Sequence, residues 1–352
     1  MKLNTLSIPI VQAPLAGGPS TPELTAAVVE AGAFGFLAGG YKTSSELAGD
    51  IAALRRLTDK PYGVNLFLPD DEADAATFAD YLEQIGHVAE QHGVALGQAR
   101  YDDDFFSAKL DIVLAERVPV VSFTFGCPDP ALIGRVHDVG SEVWVTVTDP
   151  DEGAMAQAAG ADVLVAQGLE AGGHRGCFVD GENREDYGLL ALLQLLTARV
   201  DLPLVAAGGI STGAGVAAVL AAGASAAQLG TAFLRCSEAG TSAVHRTAMT
   251  RPSRTRLTRA FTGRLARGIE NRFLVEHSAA APIAYPQIHH ATAPLRAAGR
   301  ATEDATIVNL WAGQAYQLAA EVPAADVISA LHRDLGNALA AATARVRDPI
   351  DG

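Results

Sequence analysis

The segment Gly172-Gly173-His174-Arg175-Gly176 sets one imidazole among three glycines. An imidazole with an unperturbed pKa of about 6.5 suits general-base work at neutral pH. A Gly-rich loop offers a histidine few packing roles, so His174 is the candidate catalytic base. Glu170, four residues upstream, is a weaker acid–base candidate and reads better as a carboxylate that anchors the loop. Two further Gly-rich turns suit a phosphate. Gly208 and Gly209 let the backbone approach a ligand closely. Gly230 and Thr231 open a helix whose first N–H groups lack internal partners. No metal site is expected: His289 and His290 are adjacent, so their side chains diverge on a helix or strand, and Cys127, Cys177 and Cys236 are isolated. Between Arg246 and Arg272 lie eight arginines and one acid, Glu270. That run reads as a surface that is solvated or paired with acids elsewhere, with anion steering as the alternative.

These residues need a scaffold that gathers them at one end. Eight short apolar runs alternate with amphipathic stretches: Ile8–Ala13, Phe34–Leu37, Tyr62–Leu66, Val120–Phe123, Glu142–Val147, Val163–Gln167, Leu204–Ala207 and Ala226–Leu229. Between them the pattern predicts helices over about 22–31, with Thr21 as N-cap and Pro22 at the first helical position, and over about 44–57, 74–91, 103–117, from 129, 150–159 and 212–222. Such alternation implies a parallel sheet with helices outside. Eight units in about 230 residues match an α/β fold of the TIM (β/α)8 barrel type, with a doubly wound open sheet as the alternative. Barrel active sites lie where the strands end. There the sequence places Ala13, Pro14, Leu15 and Ala16, then Asn65, Thr124, the Gln167–Gly176 loop, Gly208–Gly209 and Gln228–Thr231. The expected organisation is a barrel over 1–237, a smaller, mostly helical, substrate-covering region over 238–322, and a C-terminal segment 323–352 whose helix packs back on the barrel.

Composition narrows the function classes. The chain has 352 residues, 49% hydrophobic and 19% charged, which is the balance of a folded protein rather than a disordered one. A formal net charge of −14 disfavours nucleic acid as a partner. No apolar run reaches the roughly 18 residues of a membrane span. The start Met1–Leu6 has no signal-peptide pattern, and unpaired cysteines suit a reducing compartment, so a cytoplasmic enzyme is the expectation.

Taken in order, the motifs resemble the nitronate monooxygenase family (2-nitropropane dioxygenases) over nearly the whole chain. They include Gln12–Gly18, Gly32–Gly40, Ser122–Gly126, Glu170–Gly176, Ala206–Ile210, Gln228–Thr231, Thr258–Gly268 and Asn309–Gln314. The resemblance implies a barrel that binds FMN without a covalent bond. By position its flavin contacts fall on Asn65, Gln167, Gly172, Gly173, Gly208, Gly209, Gln228, Leu229, Gly230 and Thr231, with Ala13–Ala16 beside the isoalloxazine ring. It assigns the base to His174. It implies oxidation of an alkyl nitronate with O2 to a carbonyl compound and nitrite, propionate 3-nitronate and nitroalkanes being the expected compounds and detoxification the expected purpose. An anionic substrate would suit Arg175 or an arginine of the 246–272 run. Substrate contacts fall on Thr124, where many relatives carry His, and on Tyr285 and His289, where relatives place several Tyr and a Lys. The alternative on the same barrel is an FMN-dependent, NAD(P)H-using enoyl-ACP or quinone reductase. The oligomeric state is not legible in one sequence.

Overall fold

Each of the eight apolar runs forms a strand. They are β1 (Ile10–Gln12), β2 (Phe34–Ala38), β3 (Gly63–Phe67), β4 (Val120–Thr124), β5 (Glu142–Val147) and β6 (Val163–Gln167), with β8 (Leu204–Ala207) and β9 (Ala226–Leu229). In the computed structural model these strands are parallel neighbours in that order, and β1 closes on β9, giving a (β/α)8 barrel. The structure describes residue 3 and residues 6–181 and 185–346. Most of the chain start and the end of the C-terminal segment lie outside the described residues.

Helices alternate with the strands: α1 (Pro22–Glu30), α2 (Ser44–Leu57), α3 (Ala75–Gln91), α4 (Phe106–Ala115), α5 (Pro130–Asp138) and α6 (Pro150–Ala159), then α7 (Leu189–Thr197) and α8 (Gly213–Ala221). Three of them start by one device, a capping side chain followed by proline at the first helical position. Thr21 Oγ1 accepts from Leu24 N (3.0 Å), Asp129 Oδ1 from Leu132 N (2.7 Å) and Asp149 Oδ1 from Glu152 N (2.8 Å).

The two-residue period of a strand sorts every barrel residue. Val64, Leu66, Val121, Phe123, Val145, Leu164, Ala206 and Leu229 face outward into the layer shared with the helices. Val11, Phe34, Phe36, Val120, Trp144, Val165 and Val205 fill the barrel interior. There Phe34, Phe36 and Trp144 pack with ring centroids 5.2–5.6 Å apart. Gly63 is the cost of that cluster, because a Cβ on it would lie 2.2 Å from the Phe36 ring. Nearer the strand ends the inward positions turn polar: Asn65, Thr124, Thr146, Gln167 and Gln228.

Beyond the barrel come α9 (Ala243–Met249), β10 (Thr255–Thr258), β11 (Ala266–Ile269), α10 (Arg272–His277), α11 (Gln287–Ala301) and α12 (Ala324–Val346). The region read as mostly helical thus also carries strands. β10, β11 and the two-residue β7 (Gly173–His174) form an antiparallel sheet. The sequence hid these strands because β11 is buried on both faces and β10 is short, with an exposed arginine at its second position, so neither shows a clear alternation. The helix expected at Gly230-Thr231 is a three-residue 3-10 turn, Thr231–Phe233. α12 packs on α8 through Leu335, beside Gly213, and Glu238 accepts from its first N–H, that of Ala324 (3.1 Å). Among the described residues no helix is long and apolar enough to cross a membrane.

Candidate active site

A cavity of about 630 Å³ opens between the C-terminal ends of the barrel strands and the region after β9. Its floor is the polar inward layer. Asn65 Nδ2 donates to Ser122 Oγ (2.9 Å) and Thr124 Oγ1 (3.0 Å), and Thr124 Oγ1 lies 3.3 Å from Thr146 Oγ1. Thr124 therefore belongs to a hydroxyl–amide chain across β3, β4 and β5. One wall is the loop after β1. Gln12 Oε1 accepts from Phe36 N (3.2 Å), its Nε2 donates to Ser20 Oγ (3.1 Å), and Ser20 Oγ accepts from Leu15 N (2.8 Å). This folds Ala13–Ala16 back over the cavity, which all four line.

His174 is held more firmly than a loop residue. It pairs with Ala266 of β11, and Arg175 N donates to Leu265 O (2.8 Å). Gln167 Nε2 donates to the His174 carbonyl (3.0 Å) while Gln167 Oε1 accepts from Gly176 N (2.8 Å). Gln167 thus lines the cavity and also staples β6 to the strand that carries the imidazole. His174 Nε2 lies 2.9 Å from Thr262 Oγ1, whose hydroxyl donates to the Arg264 carbonyl (3.2 Å). When the hydroxyl donates to that carbonyl, the threonine oxygen accepts from His174 Nε2–H, and Nδ1 keeps the ring's lone pair. Trp311 and Phe125 pack on the ring at centroid distances of 5.5 and 5.8 Å. Burial, then the nearby charges of Arg264 and Arg296, pull its pKa down to about 3, so the imidazole is neutral. Both carboxylate oxygens of Glu170 accept from Leu189 N at 3.0 Å, fixing the start of α7 to the loop.

A further wall is α11. His289, Thr292, Arg296 and Arg300 recur at three- and four-residue spacing and so share a face. His289 stacks on Tyr41 with centroids 4.2 Å apart and planes 5° from parallel. Arg296 Nη2 donates to His289 O (2.7 Å) and meets His289 Nδ1 at 3.3 Å, while Arg296 Nε donates to Thr292 Oγ1 (3.1 Å). Arg296 is only 6% exposed and lines the cavity, with Arg300 at its exposed rim. Among the described residues no carboxylate pairs with either guanidinium. Burial lowers the Arg296 pKa to about 10, and burial with the neighbouring Arg296 charge holds His289 well below its ordinary value. Burial pushes the Tyr41 phenol up to about 12. The cavity therefore presents positive charge, neutral imidazoles and a protonated phenol.

Three expected site residues do not line this cavity. Leu229 faces the helix layer, because the two-residue period that points Gln228 inward points its neighbour out. Arg175 is fully buried beneath the site, where Nη1 donates to Gln167 O (3.1 Å) and Gly168 O (2.9 Å) and Nε lies 3.6 Å from Asp186. Tyr285 packs behind His289 and His174 and lines a smaller adjoining cavity of about 250 Å³. None of the eight arginines between 246 and 272 lines the main cavity either. Several are structural cations: Arg264 pairs with Asp70 (2.6 Å), Arg259 with Asp180 (2.7 Å), and Arg246 caps the carbonyls of Arg235, Cys236 and Ala239. The cation came instead from Arg296, which the reading from sequence missed. Its signal was present as the stripe His289, Thr292, Arg296, Arg300, but that stripe has meaning only once α11 is known to face the barrel.

The residues present fit a flavin phosphate and ring. Gly208, Gly209, Gly230 and Thr231 line one end of the cavity, and Gly208 holds φ +120°, a conformation open to glycine. Thr231 Oγ1 accepts from Gly313 N (3.0 Å), leaving its own O–H to donate. Because the following turn is 3-10 and short, an anion there would rest on local N–H groups rather than on a helix dipole. Gly172, Gly173 and Gln228 complete the lining, and a Cβ on Gly173 would meet no atom within 4 Å. Among the described residues no group of three or more His, Cys, Asp or Glu could hold a metal ion.

Residues 1–334 match the family model described as nitronate monooxygenase. A nitronate monooxygenase of Pseudomonas aeruginosa is 41% identical over 347 residues, covering 95% of this chain and 98% of that one. The solved nitroalkane oxidase from Streptomyces ansochromogenes is 48% identical with a TM-score of 0.94, covering 96% and 98% of the two chains. The solved FabK from Thermotoga maritima is 27% identical with a TM-score of 0.72, covering 97% of each.

Proposed function

The chain belongs to the nitronate monooxygenase family, a family of oxidoreductases, and from that premise we propose that it oxidises alkyl nitronates with O2 to a carbonyl compound and nitrite, using bound FMN. The observation that carries the reading is the pairing of a neutral, hydrogen-bonded His174 with an unneutralised cation, Arg296, across one cavity. Such a cavity favours an anion, and a nitronate is one. Ala13–Ala16, Asn65, Gly172–Gly173, Gly208–Gly209, Gln228 and Gly230–Thr231 would hold the flavin. When bound, the flavin supplies the redox chemistry; the chain supplies binding, orientation and proton handling.

For a nitronate, His174 has no proton to remove and contributes orientation. For a neutral nitroalkane, His174 Nδ1 takes the α-proton. Transfer to an imidazole in a positive field is uphill, and the negative charge left on the substrate offsets it, because that charge forms beside Arg296. Tyr41, Phe67, Phe125, His289 and Trp311 line the cavity and limit water around the reacting carbon.

The test is the anaerobic visible spectrum of the purified protein before and after addition of propionate 3-nitronate, and separately of NADH and NADPH. Loss of oxidised-flavin absorbance with the nitronate supports the reading. An unchanged spectrum with nitronate, together with rapid bleaching by a nicotinamide, moves the function to the reductase alternative.

A further inference from the structure

We propose that Arg296 is the residue that holds the substrate's nitro group, and that it works as a unit with His289, whose tautomer it fixes. The inference rests on the nitronate reading above.

A guanidinium carries only donors. His289 Nδ1, 3.3 Å from Arg296 Nη2, can therefore only accept, and the ring's single proton sits on Nε2. The stack on Tyr41 and the bond from Arg296 Nη2 to the His289 carbonyl hold that ring in place. His174 and His289, which both line the cavity, thus differ by tautomer. His174 keeps its lone pair on Nδ1 and serves as base; His289 commits its Nδ1 lone pair and its carbonyl to Arg296 and holds the guanidinium in place. Arg296 is buried and lacks a carboxylate partner among the described residues, an arrangement that is costly unless a ligand supplies the counter-charge. A nitronate supplies it, with two oxygens that share the negative charge. They accept from Arg296 Nη1, the guanidinium nitrogen left over once Nε bonds Thr292 and Nη2 bonds His289, in the charge-assisted contact that a two-oxygen anion and a guanidinium favour.

The experiment uses the flavin-loaded protein with ethylnitronate as substrate and nitrate, a planar anion of the same charge that cannot be oxidised, as a binding probe followed by calorimetry. Arg296→Met should raise the KM for ethylnitronate and the nitrate Kd by roughly 10–100-fold, the worth of a hydrogen bond to a charged group, with flavin content unchanged. Arg296→Lys should recover part of that loss. His289→Phe keeps a ring against Tyr41 but offers Arg296 Nη2 no side-chain acceptor, and should raise KM by about tenfold; His289→Gln keeps an acceptor and should stay within about threefold. A wild-type KM and nitrate Kd in R296M would overturn the proposal, as would equal behaviour of H289F and H289Q. Should R296M fail to fold, the His289 pair decides alone. If the wild-type protein does not oxidise ethylnitronate, the reading of the reaction fails, and the nitrate titrations of wild type and R296M still decide whether Arg296 holds a planar anion.

Discussion

Replacing Thr262 by valine removes the hydroxyl that orients His174 while keeping the side chain's shape. Thr262 is buried, with Oγ1 2.9 Å from His174 Nε2 and 3.2 Å from the Arg264 carbonyl it donates to. Valine strands the Nε2–H donor and removes one partner from that carbonyl. A stranded buried donor costs about 1–3 kcal/mol, which at this chain length is roughly 1–4 °C in Tm. The catalytic effect is larger and selective. A positioned base contributes about 10²–10⁴-fold, and a ring free to turn no longer keeps Nδ1 on the substrate. We expect kcat on nitroethane to fall about tenfold, a part of the full loss expected for His174→Asn. Ethylnitronate has already lost the α-proton, so its kcat should stay within about threefold. Thr262→Ser restores the hydroxyl and should restore the rate. The assay is nitrite release from both substrates at saturation, with flavin content matched. A wild-type nitroethane rate in T262V, alongside a large loss in H174N, would refute the orienting role. Equal losses on both substrates would show a packing defect instead of a defect in proton transfer.

Stability should fall as pH drops below about 6.5. Unfolded histidines bind their protons near that value, whereas burial delays protonation of His174 to about pH 3 and of His245 to about pH 4. Between those values the unfolded state carries more protons, so stability rises with pH; urea midpoints at pH 7 and pH 5 measure it, and equal midpoints would contradict it. Gly208→Ala forces φ +120° on a residue with a Cβ and brings that Cβ to 3.1 Å from Ala171 N. It should weaken flavin retention, read by titrating FMN fluorescence into apoprotein, and a wild-type flavin stoichiometry would count against the phosphate assignment. Arg175→Met should destabilise the fold by about 3–5 kcal/mol, the scale for breaking a buried ion pair. Activity in the folded fraction should keep its KM, whereas a raised KM with normal stability would return Arg175 to substrate binding.

The barrel was legible from the sequence because its signals are local. Strands of three to six residues, caps such as Thr21 and Asp149, and prolines at the first helical turn each act within a few residues, and a β/α alternation leaves few arrangements for the chain. The same locality made His174 and the glycine turns stand out, and the cavity gathers them with the loop after β1. Local signals misled where a residue's direction mattered. Leu229 looked equivalent to Gln228 until the strand period turned it outward. Arg175 looked like a neighbour of the base, yet neighbours on a strand point to opposite faces, and its guanidinium runs beneath the site to Gln167 and Gly168. Residue types, the eightfold alternation and the candidate base were thus fixed by sequence. Which cation meets the ligand, which imidazole nitrogen holds a proton and which hydroxyl orients it were decided only by tertiary structure. Those depend on contacts such as Arg296 to His289 from α11 and Thr262 to His174 across 88 residues, made by elements whose approach no local pattern encodes.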